Sequence, residues 1–127
     1  MLKLASKVYV SNSHILNSGR GVFAAKNIKK GEIIEVAPIL ILDFTDFIDT
    51  RWNLLFEYYF WMDDYVALAL GFASMYNHSQ NANCKYELNR VDKTITFTAT
   101  KDIKKDSEIY FNYKGTSNPK TPLWFEK

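Results

Sequence analysis

Residues 74–87, SMYNHSQNANCKYE, hold the most informative pattern of the chain. The tripeptide Asn77-His78-Ser79 comes directly after an apolar run and directly before an asparagine-rich loop. A polar pair in such a place is costly to bury unless its donors and acceptors have partners. A helix end capped by Asn77 or Ser79 would supply those partners from the backbone, and a polar ligand would supply them from outside. The segment therefore predicts either a helix end or a wall of a binding site.

Two further segments add to this pattern. Residues 19–21 (GRG) form a G-x-G tripeptide that, taken alone, is typical of a plain turn, although glycine there lets the backbone approach a ligand closely. Residues 107–113 (SEIYFNY) are expected to contain the last clear strand, in which Phe111 and Tyr113 share one face and Tyr110 points to the other. Aromatic residues on strands usually lie in the core, and a buried tyrosine hydroxyl needs a partner.

Size and composition limit the class of protein. The chain has 127 residues, of which 47% are hydrophobic and 16% aromatic. This is enough for one globular domain with either a dense small core or an aromatic-lined site. Sixteen basic and 14 acidic residues give a net charge of +2, which is too balanced to indicate nucleic-acid binding by charge alone.

The cysteine and histidine content argues against a metal site. Cys84 is the only cysteine, and His14 and His78 lie far apart in the sequence, so we expect no metal and no internal disulfide. Residues 1–10 contain no apolar run of signal-peptide length, and no segment approaches the roughly 20 apolar residues of a membrane span. The sequence predicts a soluble intracellular protein with no membrane contact.

The apolar pattern predicts a β-rich domain of many short strands with very little helix. Residues 11–21 are expected to form a loop. Pro38 lies in the strongest strand pattern, and because proline cannot donate a ladder hydrogen bond it predicts an edge position or a break there. A short helical turn and then a strand are expected in 50–62, and a strand and then a short helix in 65–76. Further strands are predicted at 8–10, 22–25, 32–42, 85–88, 94–101 and 109–113, with 85–88 and 94–101 forming a hairpin.

A faint repeat links two turns of the chain. Residues 27–33 (NIKKGEI) are similar to residues 102–109 (DIKKDSEI), which contain one extra residue. In each copy the isoleucine can pack into the core while the lysines stay in water. Similar turn chemistry and a fold of two similar β-lobes both account for the repeat.

Three motifs in fixed order point to one family: GRGVFAAKNIKKGEIIEV at 19–36, YVALALGFASMYNHSQNANC at 65–84, and SEIYFNY at 107–113. Together they closely resemble the SET-domain family of protein lysine methyltransferases, above all its small stand-alone viral and microbial members. The resemblance implies a mostly-β SET-domain (β-clip) fold of short strands and small sheets, with a knot-like C-terminal crossing and little helix. It also implies a single SET domain over 1–127, with its core at about 8–113 and a closing segment at 114–127.

The resemblance implies S-adenosyl-L-methionine as the cofactor and assigns residues to it. Those that would contact the cofactor are Gly19, Arg20, Gly21, Tyr65, Asn77, His78 and Trp124, the last with simple core burial as the alternative. Tyr113 would be the catalytic residue, and the substrate lysine channel would be formed by Tyr76, Tyr86, Phe111 and Tyr113. Where the family often has a proline after the Asn-His-Ser loop, this chain has Ala82.

The expected chemistry is methyl transfer to the side-chain amine of a protein lysine. The partner would be a basic protein or peptide such as a histone tail, with no direct contact to nucleic acid, in the cytoplasm or in the nucleus of a eukaryotic host or source. The sequence leaves open whether the protein forms a homodimer. The alternatives are a non-catalytic SET-like module that binds a basic tail, and a small β-rich nucleic-acid binder that uses the aromatic residues 58–61.

Overall fold

A computed structural model describes residues 7–16, 18–43, 59–62 and 65–112, and this part of the chain is built almost wholly from short strands. A single 3₁₀ turn, Ala73–Met75, is its helical element. The strands are β1 (Val8–Asn12), β2 (Arg20–Ala24), β3 (Ile33–Leu42), β4 (Tyr59–Trp61), β5 (Val66–Ala69), β6 (Asn77–His78), β7 (Cys84–Asn89), β8 (Thr94–Ala99) and β9 (Glu108–Phe111). The prediction of a mostly-β fold with little helix is confirmed.

The strands form two sheets, in the orders β1-β2-β9-β6 and β4-β5-β3-β8-β7. All pairs are antiparallel except β6 with β9, which run parallel. The buried core takes side chains from both sheets, with Val22 and Ile109 from the first and Ile95 and Phe97 from the second all fully buried. The predicted knot-like crossing and closing segment depend on residues 113–127, which lie outside the described part of the chain.

The position of Pro38 corrects one sequence expectation. β3 is one continuous strand from Ile33 to Leu42 that lies between β5 and β8, with a register irregularity between Ile33 and Glu35. Pro38 pairs with Thr94 at the last position of the β3–β8 ladder, and from Ile39 onward β3 pairs with β5. Proline, which has no N–H, is tolerated there because β3 changes its partner strand from β8 to β5 at this position.

The hairpin of β7 and β8 confirms the alternation read in residues 94–101. Ile95, Phe97 and Ala99 are buried, while the threonines between them are half-buried. The loop expected over 11–21 is shorter than predicted, because Ser11 and Asn12 pair with Gly21 and Arg20 and extend both strands. The helical turn expected before β4 falls outside the described residues.

The two repeated turns bind each other. Ile28 and Ile103 form an isolated antiparallel bridge, with N–H to carbonyl distances of 2.8 and 2.7 Å, and both side chains are buried. The Asp102 carboxylate accepts the Lys30 N–H at 2.8 Å, and the Asn27 side-chain carbonyl accepts the Lys105 N–H at 2.8 Å. The prediction that the isoleucines pack inward while the lysines stay exposed is confirmed.

Candidate active site

The G-x-G tripeptide lies at the start of β2, next to Asn77. Gly21 is buried, and a Cβ atom on it would overlap the Glu108 carboxylate and lie 2.9 Å from Nδ2 of Asn77. The Asn77 amide donates to the Arg20 carbonyl at 3.0 Å. Only glycine fits at position 21, because the side chains of β6 and β9 press directly on the backbone there. The fold thus brings together two motifs that are more than 50 residues apart in the sequence.

Asn77 and His78 form a strand and not a helix end. The 3₁₀ turn ends at Met75, and Tyr76 already has an extended backbone (φ −68°, ψ 137°). Asn77 and His78 then pair in parallel with Tyr110 and Phe111, and the Ser79 N–H donates to the Phe111 carbonyl at 3.1 Å. The helix-cap reading is therefore wrong, because β9 supplies the backbone partners that a cap would have supplied. Both side chains are half-buried on the edge strand of the first sheet.

Glu108, which the sequence reasoning missed, connects these elements. Its carboxylate is buried, with 4% of the residue exposed. One oxygen accepts from the Ser13 hydroxyl at 2.7 Å and from the Asn77 amide at 3.1 Å. The other accepts from the His14 N–H at 2.7 Å and from the Tyr110 hydroxyl at 3.0 Å. An acidic residue inside an apolar strand was the available signal, since such a group needs several donors when buried.

The pKa of Glu108 follows from these contacts. Burial pushes the pKa upward, but hydrogen bonds from Asn77, Ser13, the His14 backbone and Tyr110 stabilise the charged form, and the pKa ends below its usual value. Glu108 is therefore a carboxylate at neutral pH. It fixes the β1–β2 connection, Gly21 and Asn77 at one point of the sheet.

Asn83 fastens the asparagine-rich loop to β9. Its side chain donates to the Glu108 carbonyl at 3.0 Å and accepts the Tyr110 N–H at 2.8 Å, and its own N–H donates to the Tyr110 carbonyl at 3.1 Å. These bonds hold the loop in place with Ala82 at the position where the family often has proline. The sequence predicted only a loop at Asn83. In the structure, Asn83 forms hydrogen bonds with the backbone of β9.

An aromatic cluster surrounds Phe111 on the inner side of β9. Phe111 is 1% exposed, and its ring lies 5.3 Å from Tyr86, 5.6 Å from Phe60 and Phe97, and 6.2 Å from Tyr76, measured between ring centroids. Burial, with a smaller effect of Tyr65, raises the pKa of Tyr86 to about 12. Three of the four residues predicted for the lysine channel thus meet in one apolar cluster. Their role in binding lysine stays a prediction.

Tyr76 is anchored to a second buried carboxylate that the sequence reasoning also missed. The Tyr76 hydroxyl donates to Glu35 at 2.8 Å, and the Phe72 N–H donates to the other Glu35 oxygen at 2.9 Å. The Tyr76 ring stacks on Phe97 at 4.2 Å. Burial raises the pKa of Glu35, although both hydrogen bonds oppose this. Tyr76 and Asn77, which are adjacent in the chain, thus donate hydrogen bonds to two different carboxylates, Glu35 and Glu108.

Tyr65 lies immediately before β5. It is 7% exposed, and the guanidinium of Arg90, in the β7–β8 turn, lies 4.7 Å from the centre of its ring. This is a cation–π geometry, which shows that the ring presents a face to positive charge. Whether Tyr65 contacts the cofactor stays a prediction.

The remaining site predictions concern residues that the structure does not describe. Tyr113, the predicted catalytic residue, follows the last described residue, and Trp124 also lies outside. Within the described ranges, no group of three or more histidine, cysteine or acidic residues could hold a metal ion. A search of the same ranges finds no helix long and apolar enough to cross a membrane.

Comparison with known proteins identifies the family. Residues 19–114 match the SET domain. The chain is 31% identical to the histone-lysine N-methyltransferase of Schizosaccharomyces pombe described as H3 lysine-37 specific, over 85% of this chain and 71% of the yeast protein.

Solved structures agree with that match. A crystal structure of a proposed histone methyltransferase of Plasmodium falciparum is similar with a TM-score of 0.72 and 30% identity, over 87% of this chain and 96% of the other. A Chaetomium thermophilum PRC2 structure bound to S-adenosylmethionine has a TM-score of 0.73 at 23% identity, over 91% of this chain and 16% of that one, and supports the fold alone. The chain therefore belongs to the SET-domain family of protein lysine methyltransferases.

Proposed function

We propose that this chain transfers a methyl group from S-adenosylmethionine to the side-chain amine of a lysine in a basic protein, with a histone tail as the substrate class. The observation that carries the proposal is that the Glu108 carboxylate and the Asn77 amide meet beside the backbone of Gly21. Glu108 begins β9, the strand that ends at Phe111. The histone class is supported by the named activities of the yeast and Plasmodium relatives.

The residues present suit a cofactor with a polar, charged methionine end. Gly19 is exposed, has φ +67° and has open space where a side chain would be, so its backbone is accessible to a ligand. The half-buried Asn77 and His78 lie on the edge strand β6, which β9 separates from β2. We assign cofactor binding to Gly19, Arg20, Gly21, Asn77 and His78, with Tyr65 and Trp124 as further contacts. When bound, S-adenosylmethionine supplies an electrophilic methyl group on a sulfonium.

The aromatic cluster has the properties that a lysine nucleophile needs. Only the neutral amine can attack, and a free lysine titrates near ~10.4, so it is almost fully charged at neutral pH. Apolar surroundings such as those of Phe111 and Tyr86 disfavour the ammonium and lower its pKa. Aromatic faces also stabilise a methylated, positively charged product.

Tyr113 would orient the amine toward the methyl group. It follows Phe111 by two residues, so a continued strand would place both on the same face. Positioning of reacting groups is worth up to ~7–11 kcal/mol in well-oriented reactions, and we assign this role to the Tyr113 hydroxyl. Phe111 lacks the hydroxyl that a tyrosine would carry, which favours di- or trimethylation; the Tyr86 hydroxyl would offset this if it enters the same space.

The test is transfer of a labelled methyl group from S-adenosylmethionine to a mixture of histones and other basic proteins. Mass spectrometry of the labelled band should place the methyl group on a lysine side chain of a histone. Label on a non-histone protein alone would overturn the substrate class. Binding of a basic tail without any transfer would show a non-catalytic module.

A further inference from the structure

The two repeated turns bring together lysines that the sequence keeps about 75 positions apart. Because Ile28 bridges Ile103 in an antiparallel arrangement, the turn at 29–32 lies against residues 99–102 and the turn at 104–107 lies against residues 24–27, so the two turns flank the bridge on opposite sides. Each turn closes with a hydrogen bond from its fourth N–H to its first carbonyl, at 2.9 and 3.0 Å, and has positive φ at its third residue, Gly31 or Asp106. We call the exposed lysines of this region the lysine patch: Lys26, Lys29, Lys30, Lys101, Lys104 and Lys105.

The lysine patch makes the charge distribution uneven. Residues 26–32 and 101–107 hold six lysines and three carboxylates, a net charge of +3, whereas the whole chain has +2. The remainder of the chain is therefore slightly negative. The near-neutral total, which argued against nucleic-acid binding in the sequence, hides a local basic surface.

The three carboxylates of this region are already engaged. Glu32 pairs with Lys7 at 2.8 Å and with Lys26 at 3.7 Å. Asp102 accepts the Lys30 N–H, and Asp106 accepts the Tyr9 hydroxyl at 2.9 Å. Among the described residues, Lys26 is the one member of the patch whose ammonium has an ion pair. Of the other five exposed lysines, four lie in the two turns and Lys101 precedes the second turn, and reciprocal hydrogen bonds hold the two segments together.

The lysine patch lies at the far end of β2 and β9 from the candidate active site. Arg20 and Gly21 begin β2 and Phe111 ends β9, whereas the patch follows the end of β2 and precedes the start of β9. At about 3.3 Å per residue, four or five residues of strand put roughly 15 Å between the patch and Arg20 or Phe111, whereas Glu108 directly follows the turn at 104–107. A partner on the patch would therefore leave Arg20 and Phe111 uncovered.

We propose that the lysine patch docks the phosphate backbone of a nucleic-acid duplex. Flexible ammonium groups bind phosphates as point charges, whereas planar, bidentate recognition of carboxylates favours arginine, which residues 26–32 and 101–107 lack. Single-strand binding relies on aromatic stacking platforms. Tyr9, the aromatic side chain that is hydrogen-bonded to this region, stacks on Phe23 with its hydroxyl on Asp106. A patch of lysines without arginine therefore favours sequence-independent contact with the phosphate backbone.

The test compares two double variants by fluorescence anisotropy with a short mixed-sequence DNA duplex. Lys29→Gln/Lys104→Gln removes two patch charges. Lys85→Gln/Lys93→Gln removes two exposed lysines of the β7–β8 hairpin and serves as the control of equal net charge. With about four phosphate contacts, wild-type affinity should fall roughly 100-fold between about 50 and 200 mM salt, and the patch variant should lower the log–log salt slope by about 1.8. The control should change neither quantity.

Three results would overturn the proposal. Wild-type protein that does not bind the duplex at low salt would exclude it, and so would an equal loss in both variants, which would reflect net charge alone. Stronger competition by a polyglutamate peptide than by unlabelled duplex would assign the patch to an acidic protein. Because no arm uses S-adenosylmethionine or a lysine substrate, these outcomes are independent of the methyltransferase assay.

Discussion

Replacing Glu108 by glutamine keeps the size of the side chain but removes its charge and part of its capacity to accept hydrogen bonds. If the new amide nitrogen takes the place of Oε1, it faces the His14 N–H. If it takes the place of Oε2, it faces Nδ2 of Asn77. The Ser13 and Tyr110 hydroxyls can rotate to accept, but these two N–H donors cannot. One donor–donor contact is therefore unavoidable in either orientation.

The size of the effect follows from the loss of one hydrogen bond to a buried charged acceptor. Such a loss costs about 2 kcal/mol, so Glu108→Gln should lower the melting temperature by roughly 6 °C. The Asn77 amide also donates a hydrogen bond to the Arg20 carbonyl. The residues assigned to cofactor binding should therefore be held less firmly in position. We expect the KM for S-adenosylmethionine to rise roughly tenfold, which corresponds to about 1.4 kcal/mol, with kcat at saturating cofactor changed much less.

The assay is steady-state methyl transfer with the cofactor varied, beside a thermal melt. Glu87→Gln, at an exposed position on β7, makes the same change in charge and should behave like the wild type. A lower melting temperature with an unchanged KM would mean that Glu108 stabilises the fold without positioning the site. Unchanged values of both would refute the hydrogen-bond account.

The stability difference should also depend on pH in a defined direction. The pKa of Glu108 is lowered in the folded state, so its charged form stabilises the fold above the unfolded value of ~4.3. That contribution is lost as the pH falls below ~4.3 through the folded-state pKa. The gap between wild type and Glu108→Gln should therefore be constant near neutral pH and shrink in acid. A gap that widens in acid would contradict the assignment of a charged Glu108.

Three other substitutions test the remaining parts of the site. Gly21→Ala places a Cβ against the Glu108 carboxylate and Asn77 and should weaken binding of S-adenosylmethionine, measured by calorimetry; an unchanged affinity would contradict the close-approach argument. Tyr113→Phe should keep cofactor affinity within about twofold while turnover falls by roughly 100-fold, and equal turnover would remove Tyr113 from the mechanism. Phe111→Tyr adds a hydroxyl beside Tyr86, 5.3 Å away between ring centres, and should shift the product toward monomethyl-lysine in mass spectra; an unchanged product ratio would refute the role of Phe111.

Local pattern was enough to predict most strands. Alternation in residues 94–99 located β8, because period-two burial is a property of the segment itself. Branched residues located β3, and the repeated isoleucine-lysine turns predicted which side chains are buried. The misjudged position of Pro38 shows the limit of such rules, since its tolerance depends on which strand pairs on either side of it.

Long-range pairing could not be predicted from residues alone. Asn77 looked like a helix cap because nothing near it in the sequence shows that β9 lies alongside. Glu108 and Glu35 were missed for the same reason, since most of their donors, among them Ser13, Asn77 and Phe72, are distant in sequence. The motif resemblance placed the G-x-G and Asn-His segments at one site, and the structure supplies the carboxylate between them.

The most direct test of the account is the mass of a histone substrate after incubation with S-adenosylmethionine and either wild-type protein or Tyr113→Phe. The account predicts methylated lysine with the wild type and almost none with the variant, although both bind the cofactor. Wild-type protein that binds S-adenosylmethionine but leaves every lysine unmodified would contradict it.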